Sequence, residues 1–87
     1  MKFDYDPQKS QVNKLKHGLD FEEAQALWND ELGLVMPARF RDEERFAIIA
    51  RLDKVLWTAI FTRRGQMTRL ISCRRARPEE AALYEQE

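Results

Sequence analysis

Cysteine is almost absent from this chain: Cys73 stands alone, and a lone thiol closes no internal disulfide. No CxxC pair and no Cys/His spacing of the zinc-binding kind accompanies it, so a reducing compartment and a metal-free structure are expected, and no cofactor is expected either. Long apolar runs are missing too. The longest apolar-rich stretch, around Val55 to Phe61, is far too short to span a bilayer, and MKFDYD places acids where a signal peptide would be apolar. These absences point to a cytoplasmic protein without membrane association. Net charge is zero, which by itself argues neither for nor against nucleic acid.

The composition that remains, 34% charged and 44% apolar, is that of a globular chain rather than a disordered or fibrous one. Its 87 residues suffice for one small domain, residues 1–87, with one core. The charges are unevenly placed. Acids outnumber bases before residue 36, whereas RRGQMTRLISCRRAR, residues 63 to 77, holds six arginines and no carboxylate. A local basic surface follows from that run.

FDYD at residues 3 to 6 alternates aromatics with acids, which suits a short half-buried strand or an ordered arm. Asp6 before Pro7 predicts the start of a helix, and Gly18 after His17 predicts its left-handed end. Asp20 and Glu23 form a capping box for a second helix, with Leu19 stapled on Ala24 and with Phe21, Ala24, Leu27 and Trp28 on one face. Beyond Asp30 the pattern turns to β: LGLVMPARF, ERFAIIARL, VLWTAIFTR and MTRLISCRR, with Pro37 marking an edge or bent strand. The separators RDE (41–43), DK (53–54) and RGQ (64–66) are short enough for hairpins. Pro78, Glu79 and Glu80 open a last helix, although Arg77 is a poor N-cap residue. The expected architecture is α+β: two N-terminal helices, a four-stranded, mainly antiparallel sheet and a C-terminal helix, with the N-terminal strand optional.

Three constellations can carry chemistry. On the first helix, Lys9, Asn13, Lys16 and His17 fall on one polar stripe, opposite in sense to Val12. A solvated face with basic residues at the C-terminal end of the helix dipole is the simpler reading of the stripe from composition alone. Yet histidine is also the side chain suited to proton transfer near neutral pH. Glu44 and Arg45 open the second main strand, where successive residues face opposite ways, and surface salt bridges are the plain reading of this pair. In the strand through Arg69 to Arg75, strict alternation puts Arg69, Ile71, Cys73 and Arg75 on one side and Leu70, Ser72 and Arg74 on the other. Its guanidinium groups either snorkel or form a cradle for phosphate.

Taken together, Tyr5-Asp6-Pro7, then Lys9, Asn13, Lys16, His17, Gly18, Phe21, Glu23 and Ala24, later Glu44, Arg45 and Phe46, RLISCRRA at 69 to 76, and finally Glu80, Tyr84 and Glu85 resemble the BrnT toxins of type II toxin–antitoxin modules. Those are ribonucleases of RelE-like fold, and the resemblance covers nearly the whole chain. Tyr5 stands where that family commonly has tryptophan, and Cys73 where it has alanine. The resemblance implies RNA as substrate and growth arrest through blocked translation. Its implied partner is a BrnA-like ribbon-helix-helix antitoxin, through which alone promoter DNA would be met. The expected function is thus metal-independent endoribonuclease, with Lys16, His17, Glu44, Arg45 and Arg75 catalytic. Lys9, Asn13, Arg69, Ser72, Arg74 and Tyr84 are expected to bind substrate. The alternatives are a non-catalytic antitoxin-binding co-repressor and an RNA-binding protein that does not cleave.

Overall fold

In a computed structural model, which describes residues 1–38 and 42–86, the elements run β1 (Lys2–Asp4), α1 (Pro7–His17), a 3₁₀-helix (Glu23–Asn29), β2 (Leu34–Ala38), β3 (Arg45–Leu52), β4 (Val55–Arg64), β5 (Met67–Arg75) and α2 (Pro78–Glu85). The strands form one sheet in the order β1-β5-β4-β3-β2. β2 to β5 are the expected antiparallel meander with β2 at its edge, and β1 adds a fifth strand, parallel to β5. The sheet is therefore mixed and five-stranded, a correction to the four-stranded expectation. The end of the first predicted β run (39 and 40) and the first residue of its separator (41) lie outside the described residues.

Both ends of α1 follow local chemistry. The Asp6 carboxylate accepts from the Gln8 N–H at 2.9 Å, Pro7 fills the first turn, and Gly18 ends the helix at φ +93° with its N–H on the Lys14 carbonyl. The second helix differs from expectation. Its capping box is present, with Glu23 N–H donating to Asp20 at 2.7 Å and Asp20 N–H to Glu23 at 3.0 Å, but a 3₁₀-helix follows. Within it Ala24 and Leu27, three residues apart, come to the same side at three residues per turn, and Phe21 in the preceding turn packs with them in the core. All three are almost fully buried.

The hairpin at Asp53-Lys54 has two residues of positive φ (50° and 72°), as a tight turn matching the sheet twist requires. β4 and β5 are joined at Gly65-Gln66, one residue shorter than the predicted separator, with Gly65 at φ +60°. The sheet face under α1 and the 3₁₀-helix carries the main core: Ile48, Ala50, Trp57, Ala59, Phe61, Leu70 and Cys73 against Leu19, Phe21, Ala24 and Leu27. Phe3, Trp28 and Phe61 extend it in edge-to-face pairs with centroids 5.0 and 5.1 Å apart. α2 lies on the other face, where Glu80 meets Thr58 and Arg74.

Candidate functional site

A single irregularity in β5 decides which side chains share a surface. Ser72 pairs with Ile60 and Leu70 with Phe61, so Ile71 is an extra residue, a β-bulge. Past it the alternation changes phase. Leu70, Cys73 and Arg75 lie on the core side, opposite Phe61, Ala59 and Trp57, while Arg69, Ser72 and Arg74 share the other side, opposite Thr62, Ile60 and Thr58. The side assignment made from strict alternation is corrected accordingly.

β1 pairs with β5 only from Met67 to Arg69, and beyond that point α1 runs beside the β5 edge. Asn13 seals the junction. Its buried carboxamide donates to the carbonyls of Leu19 and Cys73, both at 2.7 Å, and accepts from the Cys73 N–H at 3.2 Å. Ser10 adds a second tie by accepting from the Phe21 N–H at 2.9 Å. With the helix so fixed, a groove of about 410 Å³ opens between them, lined by Asp6, Gln8, Lys9, Val12, Asn13, Lys16, His17, Ile71 and Ser72. Lys9 and Lys16 are exposed and His17 is half-buried. The one carboxylate of the lining, Asp6, is already engaged in capping α1.

The structure thus brings together five of the eleven residues singled out from sequence: Lys9, Asn13, Lys16, His17 and Ser72. Asn13 is the scaffold among them, since its polar atoms are used by the backbone. Val12 lines the same groove rather than the opposite side, as its spacing of three from Lys9 and four from Lys16 should have shown. Ile71 had no comparable signal, because the bulge that places it is invisible in the strand pattern.

The other six stand elsewhere. Glu44 precedes β3, exposed, and offers its backbone carbonyl to the Thr62 hydroxyl at 2.7 Å. Its neighbour Arg45 pairs with Glu43, both contacts at 3.0 Å. Arg69 pairs with Asp4 across the β1–β5 register. Arg74 makes a two-pronged bond to Glu80 at 2.8 and 2.9 Å. Together with donation from Arg77 N–H and the Thr58 hydroxyl, it holds the Glu80 carboxyl down at about 2, and the same pairing raises Arg74. Arg75 is exposed, with its guanidinium 5.8 Å from the Trp57 ring centroid. Tyr84 donates to Asp30 at 2.7 Å and lines a separate cleft under α2, beside Arg51. That bond raises the Tyr84 hydroxyl. Burial opposes the Asp30 charge, but hydrogen bonds from Arg51 N–H, Tyr84 and Leu32 N–H outweigh it and keep its carboxyl below the usual range.

The fold and groove define a small α+β domain with a cationic groove along one sheet edge, where ammonium, imidazole and hydroxyl groups have the chemistry to receive an anion and move a proton. The family comparison then narrows the class: residues 5–80 match the family described as ribonuclease toxin, BrnT, of type II toxin-antitoxin system, and the chain belongs to that family. Its substrate class is accordingly RNA and its counterpart an antitoxin. No curated protein matches the chain. Among the described residues, no helix is long and apolar enough to cross a membrane.

Proposed function

We propose that the groove between α1 and β5 is the active site of an endoribonuclease that cleaves RNA by internal attack of a 2′-hydroxyl, without a metal ion. The observation that carries this reading is the convergence of Lys9, Lys16, His17 and Ser72 on one groove with a single, preoccupied carboxylate. The neutral imidazole of His17 takes the 2′-hydroxyl proton as the oxygen attacks phosphorus. The resulting imidazolium returns a proton to the departing 5′-oxygen, leaving a 2′,3′-cyclic phosphate and a 5′-hydroxyl. Lys16 and Lys9 offset the charge that builds on the phosphoryl oxygens, and Ser72 offers a hydroxyl to the same group. Asn13 acts through position alone: it holds α1 at the distance that forms the groove.

Glu44, Arg45, Arg74, Arg75 and Tyr84 take no chemical part in this reading, since none lines the groove. Arg74 and Tyr84 instead fasten α2, and Arg69, paired with Asp4, stands on the sheet face that leads to Ser72. We further propose that the antitoxin is of the BrnA-like ribbon-helix-helix kind, that promoter DNA is met only through that complex, and that the unrestrained toxin arrests translation in the cytoplasm.

The test is incubation of the purified protein with cellular RNA in excess chelator, beside His17→Ala, followed by analysis of the new ends. Cleavage by the parent to 2′,3′-cyclic phosphates, with a loss of roughly 100-fold or more in His17→Ala, is the expected result. Equal cleavage by a folded His17→Ala would remove the imidazole from the mechanism. No cleavage by the parent, together with retained antitoxin binding, would favour a co-repressor without catalysis.

A further inference from the structure

The turn end of the β4–β5 hairpin carries charge that the groove does not use. Lys2, Arg63 and Arg64 are all exposed there, and among the described residues none lies within ion-pair distance of a carboxylate. Of the other sheet arginines, Arg45, Arg69 and Arg74 each have an acidic partner, whereas Arg51 and Arg75 have none within ion-pair distance among the described residues but stand apart from one another. The nearest acid in the register, Asp4, is already taken by Arg69, and the chain from Val55 to Pro78 contains no Asp or Glu at all. Cations gathered without counter-charge repel one another, and a bound anion relieves that repulsion.

The register shows where such an anion would lead. Lys2 and Arg64 both pair with Met67, from β1 and β4 respectively, so they flank it in one cross-strand row on one sheet face. Arg69 follows on that face, and beyond the bulge comes Ser72, which lines the groove. Without the bulge Ser72 would face the other way. From Met67 to Ser72 the strand rise gives roughly 15 Å, a span that a single RNA strand covers with a few nucleotides. On the opposite face of the tip, the Arg63 guanidinium lies 5.5 Å and 5.7 Å from the ring centroids of Phe46 and Phe61, which holds it in place.

We propose that the hairpin tip, through Lys2 and Arg64 with Arg69 between them and the groove, is a second binding site for phosphates of the same RNA strand, some nucleotides away from the bond being cut. The proposal rests on the ribonuclease reading of the groove. An acidic protein segment could satisfy the same charges, but the alignment of the tip with Arg69 and Ser72 has a use only for a polymer that also enters the groove.

The test compares dinucleotide and ten-nucleotide RNA substrates with the full chain, its Arg64→Glu and Lys2→Glu variants, and Lys54→Glu, which reverses a charge at another hairpin. The parent and Lys54→Glu are expected to show a lower KM for the longer RNA. In each tip variant most of that length advantage disappears, about tenfold, and the salt dependence of binding falls by about one counterion per lost contact. Melting curves check that these exposed substitutions leave the fold intact. If the parent cleaves both lengths with equal KM, or the tip variants keep the full length advantage, the second site is refuted while the groove reading stands. If the variants bind RNA normally but lose affinity for polyglutamate or for the antitoxin, the tip is a protein-binding surface and the proposal is overturned. If the parent neither binds nor cleaves RNA, the groove reading itself fails and takes this inference with it.

Discussion

Asn13 does at the β5 edge what a neighbouring strand does elsewhere in the sheet. Its carboxamide presents a donor and an acceptor to the carbonyl and N–H of Cys73, as a peptide group would, and its second N–H reaches Leu19. A buried edge left without such a partner is costly, because unpaired backbone groups lose their hydration and gain nothing in return. Asn13→Ala is therefore expected to destabilise the protein by about 2–4 kcal/mol, lowering Tm by roughly 10–20 °C in a chain this small. Thermal unfolding followed by circular dichroism measures it, and a shift within the error of the melt would show that the clamp is dispensable. From the sequence, Asn13 was legible only as a polar member of the Lys9–His17 stripe. Nothing in a helix pattern reveals that one of its polar residues turns inward to a strand 60 positions away.

At the scale of elements, α2 is fastened mainly by polar contacts: the Glu80 cluster at one end and Tyr84 on Asp30 near the other. The Glu80 carboxyl is held at about 2, from an ordinary value of 4.5, first by Arg74 and then by the Arg77 N–H and Thr58. A carboxyl depressed in the folded state stabilises fully above its ordinary value, and that contribution disappears as pH falls toward the folded value. α2 should thus loosen between pH of about 4.5 and 2 while the strands persist. Amide exchange in residues 80–85 across that range tests the idea, and unchanged protection of α2 would contradict it. Glu80→Gln should abolish this acid transition and cost about 1 kcal/mol at neutral pH, a figure kept small because the pair is partly exposed to solvent. The N-terminal boundary of α2 was legible from Pro78. What compensates for the weak cap Arg77 was not, since it depends on Arg74 and Thr58 meeting Glu80 in space.

For the whole molecule, the sheet separates two kinds of surface. One face is closed by α1 and the 3₁₀-helix over the main core, and Cys73 sits within it, fully buried, with burial pushing its thiol up to about 12. A thiol in that state reacts only when the sheet opens. Labelling by a disulfide reagent at pH 8 should be slower in the native protein than in denaturant by a factor of roughly 1,000 or more, set by global stability. Comparable rates in both would mean that the α1 side opens independently. The other face carries Arg69, Ser72 and Arg74 in line, and α2 meets it at Thr58 and Arg74.

Local chemistry alone set the ends of α1, the antiparallel meander with its edge strand β2, the capping box at Asp20, and the placing of Lys9, Lys16 and His17 on one helix stripe. Each depends on interactions within a few residues or on a period that the chain displays openly. Tertiary contacts were needed to set Glu23–Asn29 as a 3₁₀-helix, to add β1 as a parallel fifth strand, and to keep Glu44 and Tyr84 apart from the groove. Above all they decided the faces of β5, because one bulged residue at Ile71 reverses every side chain after it. A bulge is selected by how β5 must fit both β4 and α1, and that fit exists only once the strands have met.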